Sequence, residues 1–260
     1  MSWIAIFLYL FAAGVSGALA AVPPRDLDRS FFKLHAVLML VFVTIATAVG
    51  RPLLSGVQVD TMRFLTELIA WVLAADVVAI SLFVFSSRPL HSIAFLLPVI
   101  TAGVFAATIG LSSKLAPLLG GLLMTSHLLT SASLLGSSLV AMLLGHAYLR
   151  NAGMSFEPLT RLAMMFLGSA IAKTAVSLIF LASQQRRWWP RLFDDFDGML
   201  VLTRVVAGLA VPILFAGMAL SCAKSRANQS ATGILYGAVI FVLAGELISM
   251  YMTFGRGSWL

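Results

Sequence analysis

Seven side chains in this sequence have both the chemistry and the placement to matter: His35, His91, His146, Asp76, Lys173, Arg204 and Glu246. An imidazole can ligate haem iron, or hydrogen-bond a quinone carbonyl and shuttle its protons. A carboxylate facing an ammonium or guanidinium neutralises it, or passes protons along a path. Each of the seven lies inside a long apolar run or at its end. The runs therefore decide which of them can meet.

Of the 260 residues, 60% are hydrophobic and 10% charged, with a mean hydropathy of +1.01. Soluble domains carry roughly 25% charged residues. Lipid is the expected solvent, and soluble-type hydrolases and oxidoreductases are excluded. The net charge of +7 is scattered through short inter-helix segments, where basic residues anchor at lipid headgroups. No nucleic-acid partner is expected.

Crossing a ~30 Å hydrocarbon core takes about 20 mostly apolar residues. Breakers such as Pro23-Pro24, Arg51-Pro52, Arg88-Pro89 and Arg150-Asn151 divide the chain into spans at 2–21, 33–50, 62–86, 90–112, 116–148, 160–183, 199–222 and 231–253. The expected fold class is all-α, a polytopic integral membrane helix bundle of about eight transmembrane helices. It forms a single transmembrane domain, 1–260, with the lipid bilayer as its first partner and the bacterial inner (cytoplasmic) membrane as its expected location. The first run ends in Ala18-Leu19-Ala20, like a signal-peptidase site, but lacks a basic n-region, and it reads as a retained helix. The fifth span is dense in Gly and Ser, from Gly120 to Gly145, which favours close packing at the centre of a bundle.

With an even number of crossings both termini share one side, side A. Lys and Arg divide almost evenly between the sides, but Arg25, Arg29 and Lys33 follow an uncharged first span. They favour a cytoplasmic side B. His35, His91 and His146 then all fall near side B, while His127, about 28 Å from His146 along one helix, approaches side A. This three-to-one split does not supply the two ligand pairs of a two-haem cytochrome. One bis-histidine b-type haem, a quinone site, or plain interfacial histidines bonded to loops remain open.

Asp76 and Lys173 fall near the middle of the third and sixth spans, whereas Glu246 sits on the side A half of the eighth, with Arg204 at similar depth in the seventh. They make two candidate intramembrane charge pairs. Arg63 and Glu67 are a same-face pair four residues apart. Such pairs either neutralise one another and set helix register, or line a proton or quinone pathway. Cys222 stands alone, without a CxxC pair, HExxH, phosphate loop or GxSxG elbow elsewhere. Asp194, Asp195 and Asp197 lack calcium-loop spacing, so no metal site is expected. The segment 184–198, QQRRWWPRLFDDFDG, reads as an amphipathic surface stretch or a docking site for another subunit.

The last span reads ILYGAVIFVLAGELISMYMTFG, and its run from Leu243 through Glu246 to Ile248 resembles the final helix of the quinol-oxidising membrane anchor subunits of DMSO-reductase-type enzymes. The likeness covers about twenty residues. It implies an eight-helix protein with minimal loops that serves electron transfer. Glu246 is the matched position, with no role carried over, and the chain has no counterpart of that family's quinol-site region. The leading expectation is a membrane subunit of a respiratory-type electron-transfer complex, interacting with quinone or b-type haem and docking other subunits. In that setting it would be a non-catalytic or quinone-interacting member of the complex. The alternatives are a structural or assembly subunit without cofactor, and a small-solute or ion transporter. Midplane Asp76 and Lys173 favour the transporter; the unmatched Pro98, Pro117 and Pro212 do not.

Overall fold

Backbone N–H and C=O groups in hydrocarbon have no water to bond, so a chain this apolar must satisfy them within helices. The computed structural model describes residues 3–22, 27, 29–50, 100, 103, 119–150, 155–183 and 196–255. Among these, regular structure is entirely helical. In order come α1 (Trp3–Ala20), α2 (Arg29–Gly50), α3 (Leu119–Arg150) and α4 (Glu157–Ser183). Then α5 (Phe196–Val205) continues through a π-helical turn, Val206–Ala210, into α6 (Val211–Lys224). Last, α7 (Asn228–Met250) runs into a second π turn, Tyr251–Gly255.

Five helices among the described residues are long and apolar enough to cross a membrane: Trp3–Ala20, Gly120–Arg150, Glu157–Ala182, Phe196–Lys224 and Asn228–Gly255. The second expected span corresponds to α2, which holds a shorter apolar stretch, Ser30–Ala46. The expected spans 62–86 and 90–112 lie outside the described residues, apart from Ile100 and Gly103. The seventh starts at Phe196, a turn earlier than its apolar run alone suggests. The chain is all-α, and its helices suit contact with a lipid bilayer.

Two compact units divide it, Met1–Ala132 and Ser133–Leu260, the boundary falling within α3. In the first, α1 packs along α2, with Phe11 stacked on Phe42 at a centroid distance of 4.8 Å. In the second, α6 packs against both α4 and α7. The turn from α6 to α7 closes by a 6→1 bond from Ala227 N–H to the Cys222 carbonyl (2.9 Å) and a 5→2 bond from Arg226 N–H to Ala223 (3.2 Å). This is a Schellman cap with Arg226 at φ +59°, where glycine is usual.

The second unit buries charged side chains and exposes large apolar ones. Leu214 and Ile240 are 64% and 67% exposed, whereas Lys173, Arg204 and Glu246 are fully buried. Water would reward the opposite arrangement; lipid rewards this one.

The end of α3 is fixed to its neighbours by small side chains. Ser133 Oγ and Ser169 Oγ of α4 lie 2.6 Å apart. At Gly145 an added Cβ would stand 2.8 Å from Thr232 Oγ1 of α7. Gly145→Ala must push that hydroxyl aside and is expected to cost about 1–3 kcal/mol, read as a lower midpoint of SDS unfolding in mixed micelles.

Candidate functional site

Three helices bring one charge each to a common depth. At 1.5 Å per residue, Lys173 lies about 15 Å from the end of α4 at Ser183, Arg204 about 12 Å from Phe196, and Glu246 about 14 Å from Gly255. Arg204 Nη2 donates to Glu246 Oε1 at 2.8 Å, and Lys173 Nζ stands 3.5 Å from Glu246 Oε2. One carboxylate thus faces two cations, and with all three ionised the cluster carries a net charge of +1. All three side chains have zero exposure.

The second Arg204 contact has its origin in Pro212. In a regular α-helix the amide of residue 212 bonds the carbonyl of residue 208, but proline has no N–H. Val211 N–H instead reaches back five residues to the Val206 carbonyl, the π-type bond. The Gly208 carbonyl takes its hydrogen bond from Arg204 Nη1 at 3.0 Å. The guanidinium therefore neutralises Glu246 and replaces a missing backbone donor at the same time.

Close approach of α7 makes this reach sufficient. An added Cβ at Gly245 would lie 2.5 Å from the Gly208 Cα, and one at Gly208 would lie 2.8 Å from the Gly245 Cα. Only two glycines face to face allow such a crossing.

No family model, no curated protein and no solved structure matches the chain. The reading of its chemistry rests on this geometry.

The other residues singled out by type fall as follows. His35, in the first unit, is fully buried; its Nδ1 bonds the Phe31 carbonyl at 2.7 Å and its Nε2 has no hydrogen-bond partner among the described residues. His146, in the second unit, is exposed and lies 3.0 Å through Nδ1 from Tyr236 Oη. His91, Asp76, Arg63 and Glu67 lie outside the described residues, as do Trp188, Trp189, Asp194 and Asp195. Lys173 meets Glu246, a contact that its depth alone does not single out. Sequence reasoning also passes over Tyr236, whose phenol sits at the depth of His146, and Gly208 with Gly245, whose mid-span positions beside Arg204 and Glu246 are the available signal. No group of three or more His, Cys, Asp or Glu that could hold a metal occurs among the described residues.

Proposed function

We propose that the chain is an integral membrane subunit of a respiratory-type electron-transfer complex, and that it takes a quinone at the His146–Tyr236 pair. The observation that carries this reading is an imidazole joined to a phenol on the exposed surface of the second unit. Leu149 and Ile240, each within a turn of the pair, are exposed and apolar. A quinone diffuses within the bilayer and reaches a protein sideways, through such a surface. Its carbonyls need a hydrogen-bond donor that can also give or take a proton, and a neutral imidazole is one. With the phenol donating to Nδ1, the ring proton sits on Nε2 and is offered to the carbonyl.

His146 is the second unit's sole histidine, so a bis-histidine haem does not form within that unit. His146→Ala is expected to lower quinol oxidation by the assembled complex at least about 100-fold, the usual scale for losing a general acid or base. Tyr236→Phe should lower it less. Steady-state quinol turnover in washed membranes measures both, and full turnover in His146→Ala would sink the quinone reading.

A transporter is the second reading, favoured by one feature. The span Phe196–Lys224 is interrupted by its π turn beside the buried charges, and interrupted helices mark midplane sites in transporters. Solute uptake into sealed vesicles, with quinol turnover absent, would decide for it.

A further inference from the structure

We propose that water enters the second unit from the end bearing Ser183, Phe196 and Gly255 and reaches the Lys173–Glu246–Arg204 cluster, forming a one-sided proton path. This goes beyond the quinone reading and does not depend on it.

Hydroxyls in these helices follow a pattern. Those of Thr125, Thr130, Ser137, Ser169, Thr174 and Thr232 each donate to the carbonyl four residues earlier. Ser177 and Thr253 break it. Both are buried, and neither hydroxyl has a hydrogen-bond partner among the described residues. Leaving a buried hydroxyl unsatisfied costs about 1–3 kcal/mol.

The two exceptions are placed together. Ser177 is one turn beyond Lys173 on α4, and Thr253 two turns beyond Glu246 in the helix that continues α7, both toward the same end of the unit. In the opposite direction the hydroxyls are satisfied. Ser169, also one turn from Lys173, bonds both Ser133 Oγ and the Met165 carbonyl. Among the described residues, the buried hydroxyls that still need a partner lie on one flank of the charge cluster, and at this depth water is the small molecule able to supply it. Arg204 Nε, likewise without a partner among the described residues, extends the wettable surface to the cluster itself.

Such water gives the cluster an outlet for protons. Of its two cations the ammonium can release one, whereas a guanidinium holds its own. A proton leaving Lys173 Nζ passes to water at Ser177 and on to Thr253 and the surface. One returning by the same route restores the ammonium, and nothing is oxidised or reduced.

Cysteine labelling of the full chain tests the path, in a Cys222→Ala background. Ser177→Cys and Thr253→Cys are compared with Ser169→Cys and Ser138→Cys, all modest changes of side-chain size. An impermeant sulfonate-bearing thiosulfonate reagent is added to one face of sealed vesicles, and mass spectrometry reads modification. We expect Ser177→Cys and Thr253→Cys to react at least about tenfold faster than the two controls, from one face only, because thiol modification follows access to water. Should Ser177→Cys fail to accumulate, Thr253→Cys against Ser138→Cys gives the same decision. Equal rates at test and control positions, or reaction from both faces, would overturn the path while leaving His146 untouched as a quinone ligand.

Discussion

Glu246→Gln should destabilise the protein by about 3–5 kcal/mol, the loss expected when one partner is removed from a buried ion pair. The substitution keeps side-chain shape and removes the charge that both cations face, at 2.8 Å from Arg204 and 3.5 Å from Lys173. The cluster goes from a net +1 to +2 in surroundings where all three side chains have zero exposure. Lys173→Met is the informative contrast. It removes the surplus cation and leaves the Arg204–Glu246 hydrogen bond intact, so its cost should stay within about 1 kcal/mol. Replacing all three residues with apolar ones of similar volume should also be far milder than Glu246→Gln alone, since paired buried charges often stabilise no more than good packing. SDS unfolding in mixed micelles measures the series. If Lys173→Met proves as damaging as Glu246→Gln, the ammonium is not the dispensable charge, and a cluster centred on Glu246 is the wrong description.

The shared depth of Arg204 and Glu246 was legible in the sequence; the layer they form with Lys173, and direction around the bundle, were not. The apolar runs set Lys173 at mid-span and the other two nearer side A, whereas counting from the helix ends Ser183, Phe196 and Gly255 places all three in one layer. Which of two carboxylates Lys173 meets is set by how each helix is turned about its own axis. That angle follows from packing, and apolar runs exposed to lipid carry little record of it. Pro212 announced a missing N–H, but not that Arg204, eight residues earlier, would supply the donor. Its reach depends on the glycine crossing. His146 drew attention as a lone imidazole at a helix end. Tyr236 did not, since a tyrosine in an apolar helix looks like ordinary membrane-protein composition. The hydroxyls of Ser177 and Thr253 are unremarkable as letters too, and differ from their neighbours only in what they fail to bond.

The same crossing makes Gly245→Ala strongly damaging to the second unit, at about 3 kcal/mol or more. The new Cβ would meet the Gly208 Cα at 2.5 Å, the Gly208 carbonyl oxygen at 3.2 Å and Arg204 Nη1 at 2.8 Å. A flexible side chain could swing away, but two of these atoms are backbone in a π turn that already lacks an amide donor. The helices must separate instead. Separation lengthens the Arg204–Glu246 hydrogen bond and strips packing contacts, which in lipid are the main force between helices. At Gly233, on the same helix, an added Cβ would meet nothing within 4 Å. Gly233→Ala should therefore change stability by no more than about 1 kcal/mol, in the favourable sense expected of alanine in a helix. Gly208→Ala should resemble Gly245→Ala, and the double variant should not be worse by the sum, because one displacement relieves both clashes. Equal tolerance of alanine at positions 233 and 245 would mean the helices do not cross at the glycines, and Arg204 would then have no reason to reach both Glu246 and the Gly208 carbonyl.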